Sequence, residues 1–434
     1  MGVCRLCVPL CVLSVGLSLY GQSEDTFNAS QRINRIRDLG KKDASAIPAL
    51  AENLSDSNRD IRVEAVKAIV KIGTEASLQP LVKATHDNDS EVQIRATDGL
   101  VNYYVPGYVA KGSLTGPLTR GVRQMKAFFG ARNDQVIDAD VAVRPDILEA
   151  IANEVSGGSS SDSRSNAARA AGILRDHAAV PMLENSLHAK DSQLIVECLI
   201  ALQKIHDPSA GPAVASVAHD LDDRVQTIAL ETIGVLRCVS CAPDVHAALA
   251  NGRNVRIRRS ALETLAMLGL PGDRTTFQRY AGDQDTELRS AALEGLGRIR
   301  EPEDFPTLEA AYNEKDTDWK VHLAAAFAMV DQGKVDTADF SPLTYLWETL
   351  EMKARAPVAQ TYLDELARRD DVRQALFTLV PRSTKDQKIA LCGILANSHA
   401  ADAIPTLNTL SKDIDSDVSL AASRALKIVR RAQS

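Results

Sequence analysis

Prolines stand at Pro181, Pro212, Pro243 and Pro306, spaced 31, 31 and 63 residues apart, with Thr275 at the one skipped beat. Proline fits the first turn of a helix because its missing amide hydrogen would be unbonded there and its φ is already helical. A helix-opening proline that returns at this interval therefore marks a short two-helix repeat. One such unit cannot cover its own apolar side, so units must stack in series, which makes the chain an all-α solenoid.

The second helix of each unit is legible in the same register. Ala229-Leu230-Glu231, Ala261-Leu262-Glu263 and Ala292-Leu293-Glu294 align, and each belongs to a run with apolar residues at helical spacing. Small Ala and Gly residues in these runs let neighbouring helices approach closely. The interior is built without large rings: 45% of the chain is hydrophobic but only 4% is aromatic, a composition suited to thin helix-on-helix layers. Acidic turns at Asp191, Asp222, Asp285, Asp316 and Asp415 precede apolar Leu194, Val225, Leu288, Trp319 and Val418, and a carboxylate in that place caps the amides of the second helix.

The stretch GRIREPEDFPTLEAAYNEKDTDWKVHLAAAFAMV resembles a HEAT repeat of the phycobilisome-lyase-like subtype: a helix opening at proline, an Asp-rich turn, then an Ala/Leu-rich helix. AIPALAENLSDSNRDIRVEAVKAIVKIG and AIPTLNTLSKDIDSDVSLAASRALKIV are similar to it. The resemblance implies an armadillo-like superhelix of about eleven helix pairs. The expected organisation is an export signal at 1–21, an N-terminal cap with the first repeats at 26–104, an irregular insertion at 105–143, repeats at 144–333, and degenerate and C-terminal repeats at 339–431. Ser30–Leu39 reads as a capping half-repeat, and RALKIVRRAQS gives the far end a polar face. Ser156–Ser165, rich in Gly and Ser, reads as a mobile loop, and Val136–Val143 alternates like a short strand.

Fifty basic and 57 acidic residues leave a net charge of −7, so the chain as a whole is no nucleic-acid binder. Arg5 followed by apolar Leu6–Tyr20 has the length of an export signal rather than of a spanning helix, which predicts a periplasmic or extracellular protein; an uncleaved N-terminal anchor is the alternative. Cys4, Cys7 and Cys11 lie in that segment. Among the remaining cysteines only Cys238-Val239-Ser240-Cys241 has a redox-like spacing, open to a tight disulfide or to two free thiols.

No phosphate loop, nucleophile elbow or His-Glu-x-x-His helix occurs, and none of the eight histidines is followed by Glu, the pairing with which HEAT-like hydroxylases hold iron. The expectation is therefore no catalytic residue, no metal and no cofactor. The rival from another class is a phycobilin-lyase-like or oxidoreductase-like HEAT enzyme handling a tetrapyrrole or other cofactor, which the resemblance keeps open and export opposes.

Two surfaces are candidates for binding. In the insertion, Lys111, Arg120, Arg123, Lys126 and Arg132 occur with no acidic residue among them, close to Tyr103, Tyr104, Tyr108, Phe128 and Phe129. Leu114, Leu118, Val122, Met125 and Phe129 form one apolar stripe. Such a segment folds back on the repeats, docks a protein partner through its aromatic and arginine side chains, or lies on an anionic membrane as part of a peripheral adaptor. Second helices line the concave side of such solenoids, so Glu231, Glu263 and Glu294 stack into an acidic ladder, with Arg256, Arg258, Arg259 and Arg289 near enough to pair with it. The reading that unites these features is an exported, non-enzymatic scaffold that binds a protein or peptide on its concave face.

Overall fold

A computed structural model of the chain describes residues 28–109, 135–138 and 141–433. All regular structure among them is helical. The chain divides into two compact units, residues 1–207 and 208–434.

Unit 1 begins with α1 (28–39) and continues as helix pairs: α2 (Ile47–Ala51) with α3 (Arg59–Ile72), α4 (Glu75–Ala84) with α5 (Ser90–Tyr104), α6 (Pro145–Gly157) with α7 (Ser161–Ile173), and α8 (Val180–Ser186) with α9 (Ser192–Ile205). Unit 2 pairs α10 (Gly211–Ala215) with α11 (Asp223–Val235), α12 (Ala242–Asn251) with α13 (Val255–Leu268), α14 (Arg274–Tyr280) with α15 (Thr286–Ile299), and α16 (Phe305–Asn313) with α17 (Trp319–Asp331). It continues with α18 (Pro342–Thr349) and α19 (Ala356–Leu366), α20 (Asp370–Leu379) and α21 (Lys385–Ser398), then α22 (Ile404–Leu410) and α23 (Ser416–Ala432). Pro181, Pro212, Pro243 and Pro306 each stand at the second residue of their helix.

In unit 2 the second helices pack directly on one another from α11 to α23, whereas their first-helix counterparts meet sparsely. The close approach depends on missing side chains: a Cβ on Gly297 of α15 would stand 2.6 Å from the Cα of Ala328 on α17. A stack with one layer tighter than the other bends toward it, so the second helices form the inner wall of this unit. Leu230, Leu262, Leu293 and Leu323 fill the space behind that wall.

The acidic turns cap as expected at four of five places. Asp285 Oδ1 accepts from the amides of Glu287 (3.1 Å) and Leu288 (3.2 Å), while its carboxylate also takes the Arg259 guanidinium from the preceding pair. Asp191, Asp222 and Asp415 cap in the same way. Asp316 does not: it sits in the turn with φ +62°, and the cap of α17 is Asp318, which accepts from the amide of Lys320. Asp285→Ala is accordingly expected to cost about 1–2 kcal/mol, read as a lower melting temperature, whereas Asp316→Ala should cost well under that.

Ser156–Ser165 is not a loop: Ser156 and Gly157 finish α6, and Ser160 opens α7 through a capping box with Ser163. Serine is a strong N-cap residue, so a Ser-rich run terminates and restarts a helix as readily as it forms a linker. Residues 135–138 and 141–143 form no strand; the amide of Ile137 instead donates to the carbonyl of Ile173 (2.9 Å), at the end of α7. Among the described residues no helix is long and apolar enough to cross a membrane.

Candidate functional site

On the inner wall of unit 2 the residue nine positions after each N-cap falls on one line. It is Glu231 after Asp222, Glu263 after Asn254, Glu294 after Asp285 and Phe327 after Asp318. Helix periodicity places that position beside a buried leucine in the first three helices and at the edge of the apolar face.

The rungs differ in their surroundings. Glu231 is reached by water but flanked by protein, and the partial burial pushes its carboxyl up. Glu263, half-buried, is pushed up to about 7, first by burial and then by the carboxylates of Glu294, Glu287 and Glu231, against a weaker opposing pull from Lys320. Neither Glu231 nor Glu263 has a hydrogen-bond or ion-pair partner among the described residues.

Glu294 is internally neutralised. Its Oε1 accepts from the Tyr362 hydroxyl (2.6 Å) and its Oε2 from Arg298 Nη1 (3.0 Å). Arg298 also holds Glu365 through two bonds, 3.0 Å from Nε and 2.9 Å from Nη2, and its guanidinium lies 4.7 Å from the centroid of the Phe327 ring. Phe327 stacks on Tyr362 at 4.7 Å and 25°. Burial pushes the Glu365 carboxyl up, but the bonds and charge of Arg298 outweigh it and hold the group below its ordinary range. Helix α19 thus crosses to the ladder and closes its third rung. Arg369, just beyond α19, anchors the crossing by donating to the carbonyls of Val330 (3.0 Å) and Asp331 (2.6 Å) at the end of α17.

The arginines expected to neutralise the ladder do not reach it. Arg259 is bound to Asp285 and Arg289 to Glu314, and neither Arg256 nor Arg258 pairs with a rung.

The aromatic anchors expected near the insertion serve the fold. Tyr108 is buried, with 2% exposure. The Tyr104 hydroxyl accepts from the amide of Arg144 (3.2 Å), and Tyr103 meets Tyr104 edge to face at 5.1 Å. Arg120, Arg123, Lys126, Phe128 and Phe129 lie outside the described residues, as does the 1–21 segment.

Cys238 and Cys241 are disulfide-bonded, while Cys198 and Cys392 are free and buried. Histidines pair with aspartates of the following repeat, His246 with Asp273 at 2.9 Å and His219 with Asp244 at 3.0 Å. No group of three or more His, Cys, Asp or Glu placed to hold a metal ion occurs among the described residues. Sequence reasoning named Glu231, Glu263 and Glu294 but missed Arg298, four residues from Glu294, and Tyr362 and Glu365, which stand 68 and 67 residues from their partners Glu294 and Arg298.

The HEAT repeats family profile matches residues 24–101 and 242–330, one stretch in each unit. HEAT repeats are thus matched in a stretch of each unit, and all regular structure among the described residues is helical. Similar solved structures include an engineered protein (17% identity, 88% of this chain and 98% of that one, TM-score 0.38) and YibA of Escherichia coli (11%, 68% and 96%, TM-score 0.40). A third is the complex of CpcE and CpcF of phycocyanin lyase from Nostoc sp. (18%, 74% and 94%, TM-score 0.31). No curated protein matches the chain in sequence.

Proposed function

We propose that this chain is a non-catalytic scaffold that holds a protein or peptide partner along the inner wall of unit 2, the partner supplying cationic groups to the ladder. The observation that carries this reading is the contrast between rungs: Glu294 is satisfied by Tyr362 and Arg298, whereas Glu231 and Glu263, on successive repeats, lack partners. Unpaired carboxylates on rigid helices are preorganised, so little ordering entropy is lost when a cation meets them. The apolar segment 6–20 and the Cys238–Cys241 bond support an exported protein, since disulfides persist in oxidising compartments.

Glu263 is half protonated near pH 7, so its negative charge grows as pH rises from about 6 to 8. A fluorescent lysine–alanine peptide should therefore bind more tightly at pH 8 than at pH 6. The pair Glu231→Gln/Glu263→Gln should weaken binding by about 3- to 10-fold at pH 8 and flatten the profile. In native cells, a photoreactive residue at position 228 on the inner wall should crosslink a partner, and one at position 247 on a first helix should not. Equal capture at both positions, or peptide binding indifferent to both substitutions, would discard this surface.

A further inference from the structure

We infer that the Cys238–Cys241 disulfide is a redox-controlled clasp on the junction between two repeats, replacing the aspartate cap that holds the equivalent junction earlier in the chain. The register is fixed by sequence. Asp176…Ala179, Asp207…Ala210 and Cys238…Cys241 each lie two residues ahead of the helix-opening Pro181, Pro212 and Pro243. The residue before each is left-handed: Arg175 at φ 50°, His206 at φ 60° and Arg237 at φ 51°.

The backbone is bonded alike at the first and third junctions. The amide of Asp176 donates to Ala171 O (2.9 Å) and that of Ala179 to Asp176 O (3.2 Å); the amide of Cys238 donates to Ile233 O (3.1 Å) and that of Cys241 to Cys238 O (3.0 Å). What differs is the tie. Asp176 Oδ1 accepts from the amide of Ala178 (3.0 Å), and Pro208 opens the second junction with a pre-set φ. The third junction has neither an acidic cap nor a proline at that place: its 3₁₀ turn is Val239–Cys241, with no side-chain cap bond. The sulfur–sulfur bond does the work there.

The neighbouring repeat is shaped to the sulfurs. Gly211 opens α10 where Val180 and Ala242 open α8 and α12. A Cβ on Gly211 would lie 2.6 Å from Cys238 Sγ and 3.7 Å from Cys241 Sγ. The clasp therefore sits between two successive pairs, and its state bears on how α12 is seated against α10. Val239, 55% exposed, and Ser240 put the turn at the surface, while Cys238 and Cys241 are themselves 7% and 2% exposed, so a reductant reaches the sulfurs as the turn opens.

Opening is a two-electron step. A dithiol reductant gives two electrons and two protons, the sulfur–sulfur bond breaks, two thiols form, and the reductant closes its own disulfide.

The test uses the full chain purified under thiol-blocking conditions. Mass-shift alkylation should find Cys238 and Cys241 protected until dithiothreitol is added. Reduction should then lower the melting temperature by about 3–6 °C and speed amide exchange over 236–249 relative to the oxidised protein. Cys238→Asp/Cys241→Ala, which rebuilds the first junction's tie, should melt near the oxidised value and ignore dithiothreitol. Alkylation of both cysteines without reductant overturns the proposal. So does a reduced protein whose melting and exchange over 236–249 match the oxidised one, a comparison that stands even if the variant does not fold.

Discussion

Glu154→Gln should leave the protein no more stable than wild type at pH 5 and make it clearly more stable at pH 9. Glu154 lies on α6 with 3% exposure; its Oε2 accepts from the Thr97 hydroxyl on α5, and its Oε1 is buried without a partner. Burial pushes its carboxyl up to about 8, with a further push from Asp98 that the Thr97 bond opposes. The folded pKa is thus raised above the unfolded value of about 4.3.

Between those two values the folded state binds more protons than the unfolded state, so the residue's contribution is fully present below the lower one and is lost as pH rises through the higher one. The full loss is on the order of 5 kcal/mol, an upper bound for a site that can relax or admit water. Glutamine cannot ionise. It buries an amide whose donors lack partners, a cost of about 1–3 kcal/mol that is present at every pH. The difference in melting temperature between variant and wild type should therefore change sign as pH rises. Melting curves that stay parallel from pH 5 to pH 9 would show that Glu154 keeps its charge in the fold. Comparing the two proteins at each pH isolates Glu154 from Glu263 and Asp176, whose carboxyls are also pushed up.

What was legible in the sequence follows from the range of each interaction. The helix-opening prolines and the caps at Asp191, Asp222, Asp285 and Asp415 act over three or four residues, so residue type and spacing reveal them. The line through Glu231, Glu263 and Glu294 follows once the repeat is aligned, because a stack converts equal register into proximity. Spacing does not separate Asp316 from a cap because an aspartate also suits a left-handed turn residue, and Asp318, two positions later, takes the cap. The Ser156–Ser165 run resembles a linker because composition cannot separate two adjoining helix ends from one.

Nothing local announces that α19 crosses to the ladder. Arg298 and Glu365 are 67 residues apart, more than two repeats, and neither stands out in its own helix. Glu154 is hidden for a related reason: glutamate on a first helix ordinarily faces water, whereas here it is buried against Thr97 of α5, 57 residues away in the chain.

Arg298 provides the other large effect. Its guanidinium joins Glu294, Glu365 and the Phe327 face. Arg298→Ala leaves two mostly buried carboxylates without their cation and strips the cover from an aromatic ring. Removing one member of a buried ion network costs about 3–5 kcal/mol, because the partners stay charged in a poorly solvated place. The variant should melt well below wild type, and Tyr362 should lose its hold as Glu294 draws toward water. The network itself need not be worth that much. Burying three charged groups costs solvation that their mutual attraction only partly returns, so removing the charges together is far milder than removing one. Arg298→Met/Glu294→Gln/Glu365→Gln keeps the shapes, keeps an acceptor for the Tyr362 hydroxyl and leaves no bare charge. It should recover most of the stability lost in Arg298→Ala. Urea denaturation of wild type, Arg298→Ala and the triple variant measures the coupling directly. A triple variant as unstable as the single one would mean that Arg298 acts through packing on Phe327 rather than through charge, and the closed third rung would then be a consequence of where α19 lies rather than a tie that holds it there.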